Sequence, residues 1–165
     1  MLVFASTTTL KALASSEKWH GDGTFKTSPK LFYQNYILFA RYNKFRVLPC
    51  VYAFLTSKDS DDYRLLFSCI KEACEKLNIA INPKSILIDF EAAVQKAAKL
   101  EFPGIKVKGC FFHFCQAIYK KLVELGLKTL YSTNSDVKMW VEKLMALSLV
   151  PLDQIEDGLE YLLDE

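Results

Sequence analysis

The sequence predicts an α/β fold, with a mixed sheet in the order βββ-α-β-α-β followed by a C-terminal helical segment. Residues 18–56 contain aromatic and β-branched runs that are typical of strands. From residue 59 onward the apolar residues recur at helical spacing, interrupted by two short apolar runs that follow proline-containing breaks. The length of 165 residues is that of one ordinary domain with a sizeable core.

Three strands are expected at the start of this order, at residues 18–25, 31–40 and 45–56. The dipeptide Asn43-Lys44 marks a turn between the last two, so the simplest arrangement is an antiparallel meander. Residues 1–16 are weakly patterned, and we expect a short helix or a frayed entry there.

Helices and strands then alternate. Residues 59–62 (Asp-Ser-Asp-Asp) supply an N-cap and first-turn acids for a helix whose core face includes Tyr63, and a short apolar strand over 85–88 follows. The remaining predictions are a helix at 90–100, a strand at 105–112, and helices at 116–125, 136–147 and from 153. Antiparallel strands followed by parallel strands with helical crossovers give a ribonuclease H-like sheet.

Composition excludes several classes of protein. With 51% hydrophobic and 24% charged residues, the chain is neither disordered nor collagen-like. The net charge of +2 does not by itself indicate nucleic-acid binding, although residues 1–56 carry a net +5. We predict no signal peptide and no membrane span, so the five cysteines are expected as reduced thiols inside the cell.

Two aspartates lie at informative places in this order. Asp22 is in the centre of the first predicted strand, and Asp89 is at the carboxyl end of the fourth. Neighbouring strands would bring both carboxylates to one sheet edge, where they could bind a hard divalent cation. The alternatives are a turn aspartate beside two glycines for Asp22 and a helix N-cap for Asp89. Glu91 is either a first-turn helix acid or a peripheral ligand.

Three motifs in order resemble the Mutator-like element (MULE) transposases. Residues 19–26 (Trp-His-Gly-Asp-Gly-Thr-Phe-Lys) resemble the first-aspartate motif, and residues 88–93 (Ile-Asp-Phe-Glu-Ala-Ala) the second. Residues 109–116 contain the C-x-x-H signature that follows in that family. The resemblance extends from about Trp19 to the end of the sequence.

The resemblance implies a DDE-type core that cuts and joins DNA with Mg²⁺ or Mn²⁺. Asp22 and Asp89 would be its first two catalytic acids and its metal ligands. A third acid, usually Glu, is expected on a helix after an inserted helical region, and no such motif is recognisable here. The available acids are Glu142, Glu156, Glu160 and Glu165. We therefore expect a core portion over 1–115 and, over 116–165, the start of the inserted region, in a truncated or transposon-derived fragment.

The same resemblance gives roles to other residues. Cys110 and His113 form the C-x-x-H pair, and His113 is a candidate catalytic residue that contacts the scissile phosphate or orients an acid. The pair has the spacing of half a zinc site, or it is a buried structural pair among phenylalanines; zinc is not expected. Lys26 and Lys30 are candidate DNA contacts.

The implied partners are DNA at transposon ends, and protein partners or self-association, in the nucleus; no membrane partner is expected. One alternative is a domesticated or decayed remnant that binds protein or DNA without catalysis. Another is a stand-alone ribonuclease H-type nuclease, which would need a further acid in the first long helix, near Glu72 or Glu75.

Overall fold

A computed structural model describes residues 1–43 and 46–164. The predicted turn residue Lys44, the predicted strand residue Phe45 and the candidate acid Glu165 lie outside the described residues. The chain divides into two compact units, Met1–Gly109 and Cys110–Glu165. Across both described ranges, each helix is too short or too polar to traverse a lipid bilayer.

The first unit contains a six-stranded mixed sheet in the order β1-β4-β3-β2-β5-β6. The strands are β1 (Leu2–Phe4), β2 (Lys18–Thr24), β3 (Gln34–Arg41), β4 (Val47–Leu55), β5 (Ser85–Ile88) and β6 (Lys106–Gly109). The pairs from β1 to β2 are antiparallel, and those from β2 to β6 are parallel. Strands β2 to β6 confirm the predicted ribonuclease H-like sheet.

Three helices cover one face of this sheet: α1 (Thr7–Ser15), α2 (Ser60–Lys76) and α3 (Ala92–Glu101). Their apolar faces share one core with alternate strand residues such as Trp19, Leu38 and Ile86. Because side chains alternate along a strand, the residues between these core positions face the opposite side of the sheet. This alternation decides which side chains can reach the candidate site.

The N-terminal prediction was incomplete. Residues 1–16 hold helix α1, as expected, but also the edge strand β1, which is too short to leave a periodic signal in sequence. Strand β3 begins at Gln34 and not at residue 31, because Phe32 N–H donates to the Pro29 carbonyl in a turn. Leu31, an aromatic-flanked residue that reads as strand, is 87% exposed in that turn.

Strand β4 contains an irregularity next to Pro49. Its pairing with β3 shifts between Leu38 and Phe39, so that Leu38 pairs with Val51 and Phe39 with Pro49. Cys50 is the extra residue, and both Cys50 and Val51 are buried. Strand β1 pairs with β4 only from Tyr52 to Phe54, beyond the proline.

The second unit is helical, with α4 (Phe111–Glu124), α5 (Lys128–Thr133), α6 (Ser135–Ala146), two short 3₁₀ turns and α7 (Ile155–Leu163). Leu122, Val141 and Leu162 are its buried residues, and the Trp140 indole Nε1 donates to the Leu162 carbonyl at 2.7 Å. The prediction of a strand through Phe112 was wrong. Strand β6 ends at Gly109 and helix α4 begins at Phe111.

Candidate active site

Asp22 lies in the second half of β2, between two glycines. Trp19 and Gly21 occupy buried positions on the face of β2 that packs against the helices. Because side chains alternate along a strand, Asp22 faces the opposite side of the sheet, where it is half-buried. Glycine is required at positions 21 and 23 because side chains of the neighbouring strand β3 pack against the backbone there. A Cβ at Gly21 would overlap the Tyr36 hydroxyl, and one at Gly23 would lie 2.6 Å from Gln34 Oε1.

Asp89 follows β5, the parallel neighbour of β2. Lys18 pairs with Ser85 and His20 with Leu87, an offset of 67 positions. The same offset links Asp22 to Asp89. Since Ile88 points into the core, the alternation continued by one residue puts Asp89 on the same face as Asp22. The strand register is consistent with the two aspartates lying at one edge of the sheet, and their convergence on a cation stays a prediction.

A buried tyrosine lies beneath the two acids. Tyr36 of β3 is 2% exposed, and its hydroxyl has no hydrogen-bond partner among the described residues. Burial, followed by the neighbouring Tyr63 and then the charges of Asp89 and Asp22, raises the pKa of this hydroxyl well above its ordinary value. Both carboxylates thus act electrostatically on the same oxygen.

The backbone after β5 orients the second aspartate. Glu91 N–H donates to Asp89 Oδ1 at 3.2 Å, and Gln95 Nε2 donates to the Asp89 carbonyl at 3.3 Å. The alternative interpretation of Asp22 as a turn residue is wrong, because Asp22 lies within strand β2. The N-cap residue of α3 is Glu91 and not Asp89, and the Glu91 side chain makes no capping hydrogen bond.

The Glu91 side chain is held from a different element. Tyr63 Oη donates to Glu91 Oε2 at 2.7 Å, and Lys58 Nζ lies 3.8 Å from Glu91 Oε1. Gln34 Nε2 in turn donates to Tyr63 Oη at 2.8 Å. Burial is the main cause that raises the pKa of the Tyr63 hydroxyl well above its ordinary value, so Tyr63 remains a donor.

The helical spacing of the apolar residues predicts Tyr63 in the core, and the sequence pattern gives no role to Gln34. Both are fully buried, as a core assignment requires. The available signal was chemical: a buried tyrosine needs a partner for its hydroxyl, and a glutamine within an aromatic strand needs partners for its amide. These needs predict that each side chain is hydrogen-bonded in the core, but they do not identify its partner.

The donor chemistry at Asp22 and Asp89 fits a hard divalent cation. Mg²⁺ takes oxygen ligands and is commonly bound through one or two carboxylates, with water and substrate phosphate completing its shell. Within residues 1–43 and 46–164, no cluster of three or more His, Cys, Asp or Glu side chains could hold a metal ion. The site therefore offers two carboxylates and not a complete protein cage.

Cys110 and His113 both lie in the second unit. Cys110 is the N-cap residue of α4 and His113 lies in its first turn, so the motif opens a helix and does not end a strand. Phe111 and Phe112 do not bury the Cys110–His113 pair as the structural alternative requires, since Phe111 is 44% and Phe112 65% exposed. The catalytic role of His113 remains a prediction.

Lys26 and Lys30 are exposed in the loop that follows β2, only a few residues after Asp22. His20, which precedes Asp22 on the same face of the strand, is half-buried, and burial followed by the charge of Arg41 lowers its pKa. On α2, Glu72 and Glu75 are exposed and lie away from the core face that carries Tyr63. The α2 side chain that is hydrogen-bonded to Glu91 is therefore that of Tyr63, and neither Glu72 nor Glu75 lies on that face.

The strand order, with antiparallel strands followed by parallel strands joined by helices, defines a ribonuclease H-like core. The family model of the MULE transposase domain matches residues 18–117, and the chain belongs to that family. Among solved structures, the dimeric HTLV-2 integrase catalytic core domain in complex with magnesium is 18% identical and has a TM-score of 0.37. That match covers 82% of this chain and 87% of the integrase chain; a TM-score this low supports no statement about function. No curated protein matches the sequence.

Proposed function

We propose that the chain forms the DDE-type catalytic core of a MULE DNA transposase, in which Asp22 and Asp89 hold Mg²⁺ or Mn²⁺ for DNA strand cleavage and transfer. The observation that carries the proposal is the 67-position offset of β2 and β5, which the two aspartates share. Family membership supplies the reaction class.

The residues around the acids support this role. Gly21 and Gly23 allow β2 to lie close over Tyr36 and Gln34, and the Glu91 amide orients Asp89. A bound divalent cation would supply Lewis-acid activation of the attacking oxygen and charge stabilisation of the leaving oxygen. Lys26 and Lys30 are placed to contact backbone phosphates beside the acids, an interaction that weakens as salt increases. Action on DNA would place the protein in the nucleus.

The direct test is nicking of supercoiled plasmid DNA in Mn²⁺ or Mg²⁺. We expect nicking by the wild-type chain and its loss in Asp22→Asn and in Asp89→Asn. Asp61→Asn is the matched control, because the Asp61 side chain is 94% exposed on α2. Nicking that survives both active-site substitutions would overturn the assignment of these acids.

A second candidate is a DNA- or protein-binding module without catalysis. It is favoured by one observation: the part of the chain that the structure describes contains no group of three or more His, Cys, Asp or Glu side chains that could hold a metal ion. DNA or partner binding unchanged by Asp22→Asn, with no stabilisation of the wild-type chain by Mn²⁺, would support this candidate over the first.

A further inference from the structure

A buried hydrogen-bond chain connects the interior of the first unit to the second aspartate. It starts at Gln34, which is 1% exposed and whose Nε2 donates both to the Ser57 carbonyl at 3.3 Å and to Tyr63 Oη at 2.8 Å. It continues from Tyr63 Oη to Glu91 Oε2 at 2.7 Å. The chain ends where the Glu91 amide donates to Asp89 Oδ1.

Each link in this chain is directional. The Gln34 amide is a donor, so Tyr63 Oη accepts from it and has its own proton left to give to Glu91. A hydrogen bond to a carboxylate is charge-assisted, and burial of Tyr63 strengthens it further. The chain therefore constrains the Glu91 carboxylate from inside the fold.

Both Glu91 oxygens are already engaged. Oε2 accepts from Tyr63, while Oε1 faces the Lys58 ammonium at 3.8 Å. The side chain is 21% exposed, which limits its other partners. This arrangement suits an anchor that fixes the Asp89–Glu91 backbone better than it suits a metal ligand.

We infer that Tyr63 is a positioning residue, which holds Glu91 so that the Glu91 amide aims the Asp89 carboxylate at the divalent cation. The inference rests on the proposed function. Outer partners that orient metal ligands typically change metal affinity 10- to 100-fold when they are removed. Tyr63→Phe keeps the ring in the core and removes only the hydroxyl that reaches Glu91.

Another tyrosine provides a matched control. Tyr119 lies on α4 of the second unit, where its ring packs edge-to-face on Tyr131 at 5.8 Å, and it is not part of the hydrogen-bond chain to Glu91. Tyr119→Phe therefore removes the same chemical group without cutting that chain.

The experiment measures Mn²⁺ affinity by isothermal titration calorimetry for wild type, Tyr63→Phe, Tyr119→Phe and Asp89→Asn, below the unfolding temperature of each. We expect affinity to fall about 10-fold in Tyr63→Phe, to be unchanged in Tyr119→Phe and to be lost in Asp89→Asn. A second readout, the ¹⁵N–¹H resonance of the Glu91 amide without metal, should shift in Tyr63→Phe far more than in Tyr119→Phe.

The outcomes distinguish the positioning role of Tyr63 from the proposed function of the chain. If Asp89→Asn loses Mn²⁺ but Tyr63→Phe binds like wild type, the positioning role is wrong and the proposed function stands. If wild type binds no Mn²⁺, or Asp89→Asn binds it equally well, the proposed function fails. In that case a shifted Glu91 amide would still show that the hydrogen-bond chain exists, but the inferred positioning of a cation ligand would be overturned.

Discussion

Asp22 lies in β2 and Asp89 directly follows the parallel strand β5, at the same 67-position offset that pairs Lys18 with Ser85 and His20 with Leu87. A cation that bridges them would bind only the folded chain, since the register that aligns them is lost on unfolding. We therefore expect Mn²⁺ to raise the free energy of unfolding, by about 2.7 kcal/mol at 100 times the dissociation constant. Urea unfolding with and without Mn²⁺ measures this effect.

Two variants provide the controls for this unfolding measurement. Asp89→Asn should remove most of the Mn²⁺ effect while leaving stability in EDTA close to wild type, because Asn Oδ1 can still accept from the Glu91 amide. Asp61→Asn should retain the full effect. Equal stabilisation of all three chains would place the cation elsewhere.

Gly21 and Tyr36 form a close-packed pair that can be tested as a double-mutant cycle. Gly21→Ala puts a Cβ onto the Tyr36 hydroxyl, and Ile88 Cγ2 limits movement on the other side at 3.0 Å. We expect a loss of about 2 kcal/mol in the free energy of unfolding. Adding Tyr36→Phe to Gly21→Ala removes the overlapping oxygen and should recover about 1 kcal/mol more than Tyr36→Phe gains in the wild-type background. Additive effects of the two substitutions would contradict this packing.

Tyr36→Phe alone should stabilise the protein. The hydroxyl is buried without a described partner, so folding removes it from water without an equivalent hydrogen bond. Replacing it by hydrogen should raise the free energy of unfolding by about 1 kcal/mol. A decrease, measured by urea unfolding at neutral pH, would show that the hydroxyl has a stabilising partner.

Glu101 joins helices α2 and α3 through two cations. Lys71 Nζ lies 2.6 Å from Oε2 and Arg64 Nε 3.2 Å from Oε1, and Glu101 is 13% exposed. The hydrogen bond from Lys71, and then that from Arg64, hold the pKa of Glu101 below its ordinary value. Because both cations are more than a third exposed, we expect Glu101→Gln to cost only about 1 kcal/mol at pH 7.

The pH dependence follows from the sign of that shift. A lowered pKa in the folded state gives stabilisation that is present above the unfolded value, near 4.5, and is lost as the pH falls through the folded value. Wild type and Glu101→Gln should therefore differ at pH 7 and converge in strong acid. A difference that persists at low pH would mean that shape, and not charge, explains the effect.

The positions of Asp22 and Asp89 could be predicted from sequence because strand alternation and parallel crossovers leave few arrangements. The start of α4 could not. Residues 105–112 are rich in apolar and aromatic side chains, and such a run does not distinguish a strand from the first turn of a helix. The helix begins at Phe111, so His113 lies in its first turn and not between the predicted strand at 105–112 and the predicted helix at 116–125.

The hydrogen-bonded residues Gln34, Tyr63 and Glu91 show a second limit of prediction from sequence. They are separated by 29 and 28 positions along the chain, and only the packing of α2 against the sheet brings them together. Each residue type signals a need for a partner, but sequence spacing does not indicate which partner satisfies it. Short-range patterns therefore predicted the strand positions of Asp22 and Asp89, but they did not predict the hydrogen bonds of Tyr63 and Glu91 next to Asp89.

The irregular start of β4 has a consequence for behaviour at high concentration. Strand β1 covers β4 only near its end, which leaves the segment around Pro49 and Cys50 at the margin of the sheet among the described residues. A proline has no amide to donate, and a bulge breaks the regular spacing of hydrogen-bonding groups. This margin is a poor template for strand addition by another chain, and it protects a protein with an aromatic-rich sheet against edge-to-edge aggregation.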